Sequence, residues 1–170
     1  GGLIHVNVVG CALFAAISGS SAATVATVGK MSIPELRKRN YPEKILLGSL
    51  AGSGTLGLLI PPSIILIIYG VAVQESIAKL FIAGIIPGIM IALIFMSYVI
   101  IWSLINKKSM PKIIEEYSFF EKIKRSKQLL PVIILILAVI GSIYTGIATA
   151  TEAASLGVVG ALILSYFQKS

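Results

Sequence analysis

Ser18, Ser20, Ser21 and Thr24 crowd hydroxyls into residues 17–29, and Gly52, Gly54, Gly57, Pro61, Pro62 and Ser63 interrupt the apolar run 45–73. Hydrocarbon cannot satisfy a bare backbone, so such breaks persist at membrane depth only where they are buried in protein or line a cavity. Pro61 and Pro62 have no amide hydrogen, and each disfavours helix in the residue before it, which releases carbonyls near residues 57–60. The hydroxyls of Ser20, Ser21, Thr24 and Ser63, with carbonyls from 18–20 and 57–62, would make an all-oxygen cage suited to a hard cation. A monovalent ion needs no carboxylate when carbonyl dipoles meet its ligand count. Discontinuous helices of secondary transporters carry this equipment, with unwound carbonyls for Na⁺ and half-helix N-termini for anionic groups.

Other chemistry is thin. His5 and Cys11 are single residues of their kinds, no carboxylate pair lies within a helical turn inside an apolar segment, and there is no phosphate-binding loop or metal-ligand cluster. No enzyme is expected; His5 reads as a core or interface residue and Cys11 as a small buried one. Glu152 stands outside the charged loops, where a capping box with Thr149 and a proton- or ion-binding role both fit it.

The elements that must position these residues follow from composition. Hydrophobic residues are 56% of the chain and charged residues 12%, against roughly 25% charged in soluble domains. Segments 45–73, 80–105 and 129–148 each reach the roughly 20 residues that cross the hydrocarbon core as helix, and continuous rather than alternating hydrophobicity excludes a β-barrel. The net charge of +7 is not a nucleic-acid signal, because residues 30–44 and 107–127 hold twelve of the fourteen basic residues. That is the positive-inside pattern, which puts both loops in the cytoplasm, against the lipid headgroups.

The predicted layout is an all-α integral membrane protein, a polytopic bundle with a re-entrant helical hairpin and a discontinuous transmembrane helix. Residues 1–31 would form the hairpin, with 3–16 descending, 18–21 the tip and 22–31 returning; one straight helix over 1–29 would measure roughly 44 Å. A kinked single span is the alternative. Residues 32–44 would be a basic cytoplasmic loop with a short helix starting at a Ser32–Glu35 capping box, and Asn40 would cap the next helix in the same way. Residues 45–73 read as the discontinuous span or a simple proline kink, 80–106 as an ordinary span, 107–128 as an amphipathic connector on the membrane surface, and 129–170 as a span followed by a further helix. With no initiator methionine, basic leader or cleavage site, the chain reads as an internal piece of a longer protein.

The run 17–29, the stretch Ile33 to Tyr41, the stretch Gly54 to Ser63 with Tyr69 and Gly70, residues 76–88, and Thr149 to Ala154 together resemble, in order, the large membrane (M) subunit of tripartite ATP-independent periplasmic (TRAP) transporters, of the dicarboxylate type. The resemblance covers nearly the whole chain and less than half of a typical M subunit: the end of its first inverted repeat and the start of its second. It implies an elevator-type, Na⁺-coupled importer in the bacterial cytoplasmic (inner) membrane. Its solute would be a carboxylate such as a C4-dicarboxylate or sialic acid, delivered by a periplasmic solute-binding protein (P-type), and a small membrane subunit (Q-type) would brace the scaffold. By the same resemblance, Na⁺ would sit between the carbonyls of Ser18 and Ser20 and those of Gly57, Ile60 and Pro62, while Ser20, Ser21 and Ser63 line the solute cavity. Two positions depart from the family pattern: Ala150 replaces a common proline, and Asn40 replaces a glycine, although asparagine tolerates the same left-handed backbone. A Na⁺/anion symporter working without a binding protein, and a non-transport membrane subunit, are the competing readings.

Overall fold

The computed structural model describes residues 2–111 and 130–168. It divides into two units, Gly1–Ile113 and Ile114–Ser170. Every regular element among the described residues is helical.

In the first unit, α1 (His5–Ser18) follows a 3-10 turn at Gly2–Ile4. It is joined by two residues to α2 (Ser21–Lys38), which packs back along it. A Cβ on Gly10 would lie 3.4 Å from Val28 Cγ1, so the small residues of α1 bring the two arms of this hairpin close. The chain then forms α3 (Glu43–Gly54), a 3-10 turn at Thr55–Leu58, α4 (Ile64–Val73) and α5 (Ile77–Ile105). The core is one apolar cluster of Ile4, Val8, Leu36, Tyr41, Ile45, Leu46 and Val99, continued by Cys11, Val28 and Leu50. It welds α1, α2, α3 and α5 together, and the Tyr41 hydroxyl accepts from Leu3 N at 3.2 Å.

Several expected boundaries move. No helix starts at Ser32. Instead α2 runs unbroken to Lys38 with Pro34 inside it, and Ser32 is buried with a hydroxyl that has no partner among the described residues. Pro34 and Lys30, whose carbonyl loses its usual donor, both lie on the exposed face, where the missing bond is cheapest. Asn40 does not cap α3 either, since that helix starts from Pro42 with no side-chain cap. Asn40 instead closes α2. It sits at φ +57, its N–H reaches Arg37 O at 2.9 Å, and Tyr41 N reaches Leu36 O at 3.1 Å. This is a Schellman closure, with the accompanying apolar contact made by Leu36 and Tyr41. Arg37 then clasps Glu43 side-on, its Nε and Nη2 donating to the two carboxylate oxygens at 2.7 and 3.2 Å. Arg39 pairs with Glu35 at 2.7 Å and holds that carboxyl below the usual range.

Among the described residues α5 is the helix long and apolar enough to cross a membrane. It starts three residues earlier than the expected span, capped by Ser76, whose side chain accepts from Lys79 N. Ile86, Leu93 and Leu104 point outward from it. That surface suits a lipid environment, since water would penalise so large an apolar face. The amphipathic connector falls mostly on residues 112–128, outside the described residues.

In the second unit, α6 (Leu130–Tyr144) and α7 (Ala150–Gln168) pack on each other. Gly157 lets Val139 approach to 3.3 Å of where a Cβ would stand. α6 ends four residues short of the expected boundary, because Gly146 takes φ +72 and the N–H groups of Ile147 and Ala148 both turn back to Ser142 O. Glu152 is a cap: its carboxylate accepts from Thr149 N and Thr149 Oγ1, each at 2.8 Å, and Thr149 Oγ1 accepts from Glu152 N at 3.3 Å. Ala150 does not disturb this reciprocal pair.

Candidate functional site

The hairpin tip is built by a glycine and three hydroxyls. Gly19 takes the left-handed conformation at φ +59, which glycine adopts without strain, and its N–H closes α1 on Ala15 O at 2.9 Å. Ser20 is then extended, and its Oγ accepts from Ala23 N at 3.4 Å, starting α2. Behind the turn, Thr24 is wholly buried. Its Oγ1 donates to Ser20 O at 2.7 Å and lies 3.0 Å from Ser18 Oγ, which is itself 3.3 Å from Ser20 O. With Thr24 N at 3.0 Å, the Ser20 carbonyl is ringed by donors from both arms of the hairpin.

The break between α3 and α4 is different. The N–H groups of Leu59 and Ile60 both go to Leu56 O, at 3.0 and 2.8 Å. Pro61 and Pro62, joined by a cis peptide bond, offer no donor. Ser63 is fully buried; its hydroxyl donates to Leu58 O at 2.7 Å and accepts from Leu66 N as the cap of α4. Among the described residues the carbonyls of Ile60 and Pro62 accept no hydrogen bond.

These two irregular stretches meet through backbone. Ile64 N donates to Gly19 O at 3.1 Å. A Cβ on Gly19 would collide with Pro62 O, and one on Gly57 would lie 2.8 Å from both Ser20 C and Ser21 N and 3.0 Å from Ser20 O. α5 backs the break from the other side. A Cβ on Gly84 would stand 2.8 Å from Leu59 O, and one on Gly88 would stand 3.1 Å from Ile60 Cγ1. The structure therefore brings Ser20, Gly57 and Pro62 to one point with Ser21 beside them, and Ser18 joins through the hydroxyl cluster. Ile60 lies in the same turn with its side chain on Gly88. Ser63 is present but turned inward, with its proton committed to Leu58. Ser20 and Ser21 remain half-buried.

Chemically, the oxygens here are carbonyls and hydroxyls, a hard donor set. Two unpaired carbonyls and a glycine that must stay a glycine fit a cation held largely by backbone. The N-termini of α2 and α4, capped by Ser20 and Ser63, converge on the same place and favour an anion beside it.

A family model described as "Tripartite ATP-independent periplasmic transporter, DctM component" matches residues 1–170. The chain belongs to this family. It is 39% identical over 168 residues to the C4-dicarboxylate TRAP transporter large permease protein DctM of Pseudomonas aeruginosa, covering 98% of this chain and 38% of that protein. It is 38% identical over 168 residues to the sialic acid TRAP transporter permease protein SiaT of Haemophilus influenzae, covering 98% and 27%. It is also 38% identical over 167 residues to the ectoine TRAP transporter large permease protein TeaC of Halomonas elongata, covering 98% and 38%. The chain thus spans less than two-fifths of the length of these TRAP relatives.

Part of this junction gives little signal in the sequence. Thr24 was one hydroxyl among several, yet it holds the Ser20 carbonyl. Gly84 and Gly88, spaced four apart on one face of α5, are where the break is seated. Asn7, Ser49 and Ser53 line a buried polar seam between α1 and α3, with Nδ2 of Asn7 donating to Leu46 O at 3.2 Å and Ser49 Oγ at 3.0 Å. Ser53 Oγ donates to Ser49 O. Their signal was the polar spacing itself, four apart at 49 and 53 in an oily helix. His5, at the start of α1, has a buried Nδ1 with no partner among the described residues.

Proposed function

We propose that this chain is part of the membrane subunit of a Na⁺-coupled secondary importer for a carboxylate solute in the bacterial inner membrane. The observation that carries the reading is the backbone-to-backbone junction of hairpin tip and helix break, where Gly57 abuts Ser20 and Pro62 abuts Gly19, next to carbonyls that no donor reaches. Na⁺ would take the carbonyls of Gly57, Ile60 and Pro62 from the break and those of Ser18 and Ser20 from the tip. For Ser20, the Thr24 and Ser18 hydroxyls must first rotate their protons away, after which their oxygens become additional ligands. The half-exposed Ser20 hydroxyl has a proton free to donate to a solute carboxylate, beside the N-terminus of α2 at Ser21. Ser63 shapes the cavity wall by capping α4.

Hairpin and break behave here as parts of a moving, elevator-type domain, re-entrant at the tip. The family name implies the other components: a periplasmic solute-binding protein that delivers the solute and a small membrane subunit that braces the scaffold. The named relatives carry C4-dicarboxylates, sialic acid and ectoine, and a C4-dicarboxylate or similar organic acid is the first solute to try.

The test is uptake by the full-length transporter, with its small subunit and binding protein, in proteoliposomes under an imposed Na⁺ gradient. Uptake that needs inward Na⁺ and the binding protein is expected. Uptake without the binding protein would favour the symporter alternative, and uptake indifferent to Na⁺ would remove the ion assignment.

A further inference from the structure

Helices α1 and α3 pack side by side and run in the same direction, since Asn7 meets Leu46 and Ser49 while the residues just past each helix meet at Ser20 and Gly57. Their contact is mostly apolar and small: Val8 and Cys11 face Leu46 and Leu50, all buried. Such faces resist separation but specify a register weakly, because one smooth apolar contact replaces another when a helix slides. Asn7 interrupts this seam. It is fully buried, and its amide bonds to Leu46 O and Ser49 Oγ each reach across to the neighbouring helix. Ser49 does not need it, since its own hydroxyl donates to Leu46 O at 3.0 Å. Asn7 Oδ1, meanwhile, is out of solvent with no partner among the described residues. A buried acceptor left unpaired costs stability, and a leucine of similar size would not incur that cost. One turn further along, Ser53 is also buried, but its hydroxyl turns back to Ser49 O on its own helix, so the polar bonds across the seam are those of Asn7.

Buried polar groups that do not add stability are best attested as devices that fix register. The spacing supports that role here. Asn7 lies 39 positions before Leu46 and 42 before Ser49, and the same two segments meet again where Gly57, in the turn after α3, presses on Ser20 and Ser21, just past α1. Fixing the first contact therefore limits how far the second can slide. The junction below has little tolerance, with Gly57 pressed on the backbone of Ser20 and Ser21, whereas a one-residue slip of a helix moves it by about 1.5 Å.

We infer that Asn7 is a positioning residue, a register lock that sets α1 on α3 so that hairpin tip and helix break meet with their carbonyls aligned for the ion. This rests on the ion-site reading above. The lock acts at the opposite end of the helix pair from the ion and touches neither ion nor solute.

The experiment uses the full-length transporter with its partners, and the key variant is Asn7→Leu. Its melting temperature should stay level or rise, while the Na⁺ concentration for half-maximal uptake should increase roughly tenfold. Ser49→Ala, which leaves the bond to Leu46 O, should shift it by only about threefold. The double variant Asn7→Ser with Ser49→Asn, which presents the carboxamide from the other helix, should recover most of the loss. In parallel, hydrogen exchange at Ile64, whose N–H reports the tip-to-break bond, should accelerate in Asn7→Leu while Leu46 stays protected. An unchanged Na⁺ requirement, or a melting temperature that falls with no change at Ile64, would overturn the register role. If the wild type itself proves indifferent to Na⁺, the ion assignment is what fails, and the exchange measurement still decides the lock.

Discussion

The two breaks in this chain end alike and differ inside. Ser20 and Ser63 are both extended, at φ −131 and −118, and both cap the helix that follows. At the hairpin turn of Gly19 and Ser20 the carbonyl is surrounded by donors from the hairpin's own two arms: Thr24 N, Thr24 Oγ1 and Ser18 Oγ all reach Ser20 O. Before Ser63 lie two prolines, and there the carbonyls of Ile60 and Pro62 go without donors among the described residues. Placing one against the other yields a junction whose carbonyl is met by donors on the hairpin side and whose carbonyls, among the described residues, are left without donors on the break side.

Four substitutions would break or sharpen that contrast. Gly57→Val strikes the contact itself: its Cβ would stand 2.8 Å from backbone atoms that cannot yield, and Na⁺-driven uptake should fall to background while the separate unit containing α6 and α7 keeps its helicity. Pro62→Ala attacks the openness. An N–H and a helix-tolerant residue return to the break, and the Na⁺ needed for half-maximal uptake should rise roughly tenfold. Thr24→Val removes the strongest side-chain donor to Ser20 O but keeps the shape, at about 1 kcal/mol, and should weaken Na⁺ dependence by about fivefold. Ser20→Ala is the mildest for the ion, because the proposed ligand there is a carbonyl. It should cost about 1 kcal/mol of hairpin stability through the lost cap and raise the solute KM more than the Na⁺ requirement. A Pro62→Ala variant with wild-type Na⁺ dependence would show that the two breaks are equivalent after all.

Much of the fold was legible because it rests on local chemistry. Gly19 between serines marks a turn in any context, adjacent prolines interrupt any helix, and the Thr149–Glu152 pair caps α7 from sequence-local atoms alone. The errors came where local signals competed with packing. Ser32, Pro34 and Glu35 spell a helix start, yet Leu36 is drawn into the cluster with Ile4, Val8 and Tyr41, and burying it there holds α2 together through the proline. Asn40 was read as a cap, and its tolerance for a left-handed backbone was put to use at the end of α2 instead.

By itself, then, the chain's order of residues determined that it is apolar and helical, where its helices break, and which atoms those breaks release, since all of these depend on side chains within a few positions. Only the tertiary structure decided that the two breaks touch, that Gly84 and Gly88 back the second of them, that Ser63 faces inward, and that Asn7 spans two helices. Those facts depend on residues about forty positions apart reaching the same depth, and such a coincidence is set by the packing of whole helices rather than by any short stretch of sequence.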